Sequence, residues 1–280
     1  PKGKDIVDKL VEKGRGQFTG PEIMGKKLGV IGLGAIGVLV ANAAISLGME
    51  VYGYDPFVSV DSAWSLSSKV KRAGTREELV AACDYITIHV PLNDSTRGMY
   101  NKDLFDITKP GARLLNFARG GLVDTAALKE ALEKGTITEY ITDFPDAEVI
   151  NLDHVICIPH LGASTPESEE NCAEMAAMEL KQYLEYGNIK NSVNFPSCSI
   201  PYTGKARLAI LHRNVKGMVG AVANAISDEG LNIDNMVNNN KGEYAYTLID
   251  VDTFNGKGQE IADRLSKVDG IVKVRIVKEA

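Results

Sequence analysis

Cysteine is scarce in this 280-residue chain: four residues, Cys83, Cys157, Cys172 and Cys198, with no C-x-x-C pair among them. That density excludes a disulfide scaffold and predicts packed thiols in a reducing, cytoplasmic setting. No His, Cys, Asp and Glu cluster has metal-ligand spacing, so no metal is expected. Blocks of Lys and Arg are missing too, and 31 basic against 37 acidic residues leave a net charge of −6. Neither a nucleic acid nor an acidic membrane surface is therefore an expected partner. With 10 prolines, 44% hydrophobic and 24% charged residues, low-complexity and disordered classes fall away. No secretory leader opens the chain, and Pro1 rather than Met stands first, which predicts an internal start with an N-terminal segment missing.

Long apolar runs are limited to one candidate, the 22 uncharged residues from Leu28 to Met49. Five of them are glycines, and the run divides into a strand-like LGVIG and a helix-like AIGVLVANAAISLG. That division predicts a buried strand, turn and helix in place of a membrane span. Beyond it, apolar strands alternate with helix-length stretches: EVYGYD, REELVAAC, DYITIHVPL, ARLLNFARGG, Thr125–Lys134, EYITDF and HVICIPH. This order predicts βαβ units and a doubly wound parallel sheet with ligands at the strand C-terminal ends. A helix is expected over Pro166–Tyr186, with Glu167, Glu169 and Glu170 at its start. The Gly-, Asn-, Ser- and Pro-containing stretch 187–204 reads as a linker. Residues 205–280 then read strand, helix, strand, strand, helix, strand, a βαββαβ ferredoxin-like order. The expected division is 1–20, 21–165, 166–204 and 205–280.

Gly32-Leu33-Gly34-Ala35-Ile36-Gly37 is a G-x-G-x-x-G placed between a predicted strand and a predicted helix, and Asp55 ends the next strand 18 residues after Gly37. In that context the glycines allow close backbone approach to a pyrophosphate seated on the N–H groups of Ala35 and Ile36. Asp55 would accept from the adenosine ribose and repel a 2′-phosphate, which favours NAD. Arg119 follows the strand Arg113–Leu115, where a guanidinium fork can hold a carboxylate. His160 follows the strand Val155–Ile158, where an imidazole can move the proton of a hydroxyl. Its partner acid is expected in the preceding loop, at Glu148 with Asp146 in reserve.

GVIGLGAIG, YDPF, HVPL, NFARGGLVD and IPHLGAST, in this order, resemble the D-2-hydroxyacid dehydrogenase family. The second unit, with His212-Arg213-Asn214-Val215-Lys216-Gly217 and Gly230-Leu231-Asn232-Ile233, is similar to an ACT regulatory domain. The resemblance implies a Rossmann-like domain binding NAD, with Arg119 on the substrate carboxylate and carbonyl, His160 as acid and base, and Glu148 as its partner. It further implies that Asp143 meets the nicotinamide carboxamide and that Val90, Pro91, Ala118 and Gly162 lie along the cofactor. The phosphoglycerate-oxidising branch of the family carries this pair of domains. It implies oxidation of 3-phospho-D-glycerate to 3-phosphohydroxypyruvate, the first step of L-serine biosynthesis, in a homodimer or homotetramer. Serine as effector would meet His212, Asn214 and Asn232. Two departures stand out. Thr142-Asp143-Phe144 is one residue short of the family's Asp-Val-Phe, so anchoring on Phe144-Pro145 would put Ala147 where the acid belongs; Lys216 stands where proline is common. The resemblance implies that most of the segment ahead of the dinucleotide domain, which supplies lid residues in the family, is missing, with Pro1–Gly16 expected to be the last of its returning helix. Two other functions stay open at this stage: oxidation of a different 2-hydroxyacid such as 2-hydroxyglutarate, or non-catalytic sensing of NADH and an amino acid.

Overall fold

The uncharged run from Leu28 to Met49 folds as its glycines dictate. Strand β1 (Lys27–Ile31) is buried from Leu28 onward, Gly32 at φ +94° turns the chain, and helix α2 (Ala35–Ser46) follows. Gly48 at φ +80° then returns the chain to β2 (Glu50–Tyr54). The computed structural model describes residues 2–279. Pro1 and Ala280, the outermost residues of the expected first and last segments, lie outside the described residues. Among the described residues no helix is long and apolar enough to cross a membrane.

The first compact unit, ending at Leu161, opens with helix α1 (Lys2–Gly14), on which Ile6, Val7, Leu10 and Val11 are exposed. After β2 come α3 (Val60–Ser65), β3 (Lys71–Arg72), α4 (Arg76–Ala82), β4 (Tyr85–Ile88) and α5 (Lys102–Ile107). Then follow β5 (Ala112–Asn116), α6 (Thr125–Glu133), β6 (Ile137–Thr142) and β7 (Val155–Cys157). The helices start on the side chains suited to it: Thr75, Asn101 and Asp124 each accept a backbone N–H in the first turn of α4, α5 and α6. The strands form one parallel sheet in the order β3-β2-β1-β4-β5-β6-β7. The order reverses beside β1, and β1 and β4 are neighbours there, so a crevice opens past their carboxyl ends. Sequence periodicity did not anticipate α3, β3 or α5, each of which is short.

The second unit begins at Gly162. Helix α7 (Pro166–Tyr186) starts on Thr165, whose hydroxyl accepts from Ser168 N, and stops at Gly187 with φ +71°. The sheet that follows is built from β8 (Ala206–Arg213), β9 (Ile233–Lys241), β10 (Tyr244–Val251) and β11 (Ile271–Lys278), with α8 (Met218–Ser227) and α9 (Gly258–Leu265) as the crossings. Its antiparallel order β11-β8-β10-β9 is the ferredoxin-like arrangement expected from βαββαβ. One face buries Leu208, Ile210 and Ile249 with Val222 and Ile226 of α8 and Ile261 and Leu265 of α9.

The stretch 187–204 departs from expectation, for it is no loose linker. Ile189 and Cys198 pair through both backbone bonds, at 2.8 and 2.9 Å, and Ile189, Cys198 and Ile200 pack on Ala209, Tyr246 and Leu248. The second face of the sheet is apolar and needs a cover, and this strap supplies it. Arg207 of β8, directly opposite Asp250 of β10, secures the strap. Its Nε and Nη2 donate to Asp250 at 2.5 and 2.8 Å, Nη1 donates to the carbonyls of Tyr186 and Ile200, and Nη2 also donates to that of Pro201.

The four thiols are free. Burial pushes the Cys83 thiol from its usual 9.0 up to about 12 and the Cys198 thiol up to about 11. At pH 8 a disulfide reagent is expected to modify exposed Cys172 first and the half-buried Cys157 next, while Cys83 and Cys198 react only on unfolding. Rapid native labelling of four thiols would contradict this packing. Because both buried thiols hold their protons more tightly when folded, the stability they contribute is present below about pH 9 and falls as pH rises towards 11–12.

Candidate active site

Strand register sets the site. Ile31 pairs with Ile88, Ile88 with Asn116, Asn116 with Thr142, and Thr142 with Cys157. The residues that follow these in the chain, Gly32, His89, Phe117, Asp143 and Ile158, therefore leave the sheet side by side, and the chemistry-bearing motifs share one carboxyl edge.

The glycine loop is tight against its surroundings. A Cβ on Gly32 would lie 2.5 Å from the His89 carbonyl oxygen, and one on Gly37 would lie 1.9 Å from the Gly32 carbonyl oxygen. Gly34 faces open space, and α2 begins with no side chain capping its first N–H groups. Ala35 and Ile36 are exposed there. An open helix N-terminus beside a bare glycine fits a pyrophosphate. The Asp55 carboxylate accepts from Leu33 N at 2.8 Å and Phe57 N at 2.7 Å, which fixes it over the loop. It lies on the wall of a cavity of about 380 Å³, with Leu33, Val58, Leu66, Val70 and Ala73 as its apolar lining. Val90 approaches the loop as well, with a methyl 2.9 Å from where a Gly32 Cβ would be, and Pro91 follows it, exposed.

At the β5 and β6 ends a buried polar chain, missed by motif reading, holds the loops. Asn116 Nδ2 donates to the Arg119 carbonyl at 2.9 Å, and its Oδ1 accepts from Ala118 N at 3.2 Å. The Thr142 hydroxyl donates to the Asn116 carbonyl at 2.9 Å and accepts from Phe144 N at 3.1 Å. The only hint in the sequence is a polar residue ending each apolar strand. Both predicted reacting residues then lie against the Phe144 ring. The Arg119 guanidinium lies 5.8 Å from its centroid, and the His160 ring lies 4.4 Å away at 50°. Both Arg119 and His160 are exposed, and Arg119 Nη1 donates to the Ala118 carbonyl at 2.7 Å.

Asp143 carries the one buried side-chain polar atom without a partner among the described residues, Oδ1. A buried lone carboxylate oxygen is an acceptor in want of a donor; a carboxamide N–H satisfies it. Asp146 is spent on its own loop, its Oδ1 accepting from Glu148 N and Val149 N at 2.9 and 2.8 Å. Glu148 is exposed, and among the described residues no hydrogen bond or ion pair joins it to His160. Burial lowers the pKa of His89, whose Nε2 is 2.9 Å from the Thr87 hydroxyl, so this neighbour stays neutral near pH 7. Gly162 is the first residue of the second unit. Among the described residues no group of three His, Cys, Asp or Glu side chains is placed to hold a metal.

In the second unit the three candidate effector contacts differ in setting. Asn214 and Asn232 are exposed, their Nδ2 groups donating to the Gly242 carbonyl at 3.2 Å and to Asp234 at 3.3 Å. His212 is buried, with Nδ1 2.8 Å from the Arg213 carbonyl and Nε2 2.9 Å from the Thr247 hydroxyl.

Comparison with known proteins gives the family of the chain. Residues 4–162 match the D-isomer specific 2-hydroxyacid dehydrogenase, NAD binding domain. The D-3-phosphoglycerate dehydrogenase of Haemophilus influenzae is 34% identical over 268 residues, 91% of this chain and 64% of that protein. Its counterpart in Archaeoglobus fulgidus is 38% identical over 201 residues, 68% of this chain and 38% of that protein. Among solved structures, the D-lactate dehydrogenase of Aquifex aeolicus complexed with NAD and lactic acid is similar with a TM-score of 0.53 at 29% identity, over 65% of this chain and 60% of that one. The chain spans less than two thirds of the length of each of these three proteins.

Proposed function

From a chain that belongs to the D-2-hydroxyacid dehydrogenase family and contains its NAD-binding domain, we infer an NAD-dependent oxidoreductase that converts 3-phospho-D-glycerate to 3-phosphohydroxypyruvate. The observation that carries the reading is the cluster at one sheet edge: Arg119 and His160 both against the Phe144 ring, with the unpartnered Asp143 oxygen one residue before that ring. NAD, when bound, supplies the acceptor for the hydride leaving carbon 2 of the substrate. The chain's residues do the rest. The N–H groups of Ala35 and Ile36 take the pyrophosphate, Asp55 takes the ribose hydroxyls, and Asp143 accepts from the carboxamide. Val90, Pro91, Ala118 and Gly162 are the further cofactor contacts in this reading. Arg119 holds the substrate carboxylate through its fork and steadies the forming carbonyl. His160 takes the hydroxyl proton, and Glu148 balances the resulting imidazolium once its exposed side chain turns towards the ring. The second unit is read as an ACT domain, on its βαββαβ order and on its likeness in sequence. The relatives' shared name, and the absence of any need for Arg119 and His160 in a sensor, favour this reading over other 2-hydroxyacids and over sensing without catalysis.

The experiment is an NADH fluorescence titration of the chain followed by 3-phosphohydroxypyruvate in the same cuvette. Trp64, the chain's one tryptophan, lies on α3 beside the Ala63 and Leu66 that line the Asp55 cavity, and is 86% exposed; its emission is expected to be quenched as NADH binds. Consumption of NADH on adding the keto acid supports the reading, and the lack of any binding rejects it. In the same assay Gly37→Ala, which drives a Cβ into the Gly32 carbonyl, is expected to weaken NADH at least about ten-fold, because the displaced turn no longer offers its N–H groups.

Serine feedback is proposed through Asn214 and Asn232, since His212 already satisfies both ring nitrogens within its own sheet. Serine is then expected to lower turnover or nucleotide affinity by a coupling of about 1–3 kcal/mol, and Asn232→Ala to remove that response. Turnover indifferent to serine at millimolar concentration rejects feedback while leaving the dehydrogenase reading in place.

A further inference from the structure

On the strap side of the second unit's sheet lies a cavity of about 460 Å³, a size that accepts a small molecule. Ala209, Leu211 and Tyr246 form its floor, and Leu180 of α7 with Ile189 and Phe195 of the strap form its walls. The Tyr246 hydroxyl is already committed, donating to the Gly187 carbonyl at 2.8 Å, so the floor offers a ring face and methyl groups. The rim is different. Lys190, Lys273 and Arg275 line it against one acid, Glu179, which accepts from Asn191 Nδ2 at 2.6 Å. Arg275 is held in place, its Nη2 donating to the Tyr183 carbonyl at 2.5 Å and its guanidinium lying 4.3 Å over the Tyr183 ring. Lys190 and Lys273 have no ion-pair partner among the described residues. The cavity is thus apolar within and cationic at its mouth.

We propose that this cavity binds a small carboxylate with an apolar tail, the tail on Ala209 and Leu211 and the carboxylate between Lys190 and Lys273. Charge complementarity selects the anion, since the lining carries three cations, Lys190, Lys273 and Arg275, against the one acid Glu179. Packed at the density of a protein interior, the volume holds about twenty non-hydrogen atoms, enough for a medium-chain carboxylate. None of these residues belongs to the sheet edge of Arg119 and His160, or to the set His212, Asn214 and Asn232. The inference therefore stands or falls independently of the dehydrogenase reading.

Decanoate is the probe, titrated calorimetrically into the 280-residue chain below its micellar range. One equivalent is expected to bind with a dissociation constant in the micromolar range. Lys273→Glu, which reverses the rim charge, is expected to weaken it at least about ten-fold. Leu180→Trp fills the wall from a position that is 57% exposed and so spares the fold; it is expected to abolish binding while NADH affinity and melting temperature stay unchanged. Binding of several equivalents, binding insensitive to Lys273→Glu, equal affinity for decanol, or no heat at all would each overturn the proposal.

Discussion

His160→Asn is expected to lower turnover by about 10²–10⁴-fold while NADH affinity stays within about two-fold of the parent chain. Asn can still hydrogen bond, but it cannot carry a proton between hydroxyl and solvent, so the loss falls on the chemical step. His160 also packs its ring on Phe144 at 4.4 Å, and a purely structural role for it must be separated from proton transfer. The split between kcat and KM does this, because misplacing Phe144 would disturb Arg119, whose guanidinium lies over the same ring, and would raise KM. A fall in kcat with KM little changed, together with loss of the imidazole limb of the pH profile, is the expected signature. Wild-type turnover in the variant would remove His160 from the chemistry. Glu148→Gln, whose side chain makes no bond to His160 in this structure, is expected to have a smaller effect confined to kcat.

Arg207→Met is expected to destabilise the second unit by about 3–5 kcal/mol, measured by urea denaturation. Arg207 is fully buried and Asp250 is 1% exposed, so removing the guanidinium strands a carboxylate in the protein interior. The carbonyls of Tyr186, Ile200 and Pro201 lose their donors at the same time, which releases the end of α7 and the strap. The double variant Arg207→Met with Asp250→Leu is expected to recover much of the loss, because no charge is then left buried. A single-variant effect below about 1 kcal/mol would mean that the strap is held by its apolar contacts alone. Arg207→Lys is a further check: a point charge cannot reach two carboxylate oxygens and three carbonyls together.

Local chemistry was legible in the chain because it is local. The G-x-G-x-x-G turn, the acid ending the next strand, and the Pro166–Tyr186 span of α7 with acids in its first turn each depend on residues close together in sequence. The alternation of strands and helices was legible for the same reason, and so was the βαββαβ order of the second unit. Short elements such as β3 and α5 were not, since two to six residues carry too little periodicity.

What the amino-acid order determined by itself is the set of groups and their placement at strand ends: glycines that admit a pyrophosphate, Asp55, Arg119 and His160. Tertiary structure alone decided how they meet. Parallel register, set by packing across four strand pairs, aligns the ends of β1, β4, β5, β6 and β7. Only then can Arg119 and His160 meet the same Phe144 ring, Asn116 and Thr142 tie two loops, and one oxygen of Asp143 be buried unpartnered. Tertiary structure also made a cover out of the stretch 187–204, whose Gly, Pro and Ser content reads as linker. Four of its apolar residues, Ile189, Phe195, Cys198 and Ile200, gain their meaning from an apolar sheet face that is distant in sequence. The physical reason is common to both cases: hydrophobic burial and the satisfaction of buried polar groups act between residues near in space, and sequence adjacency carries only part of that information.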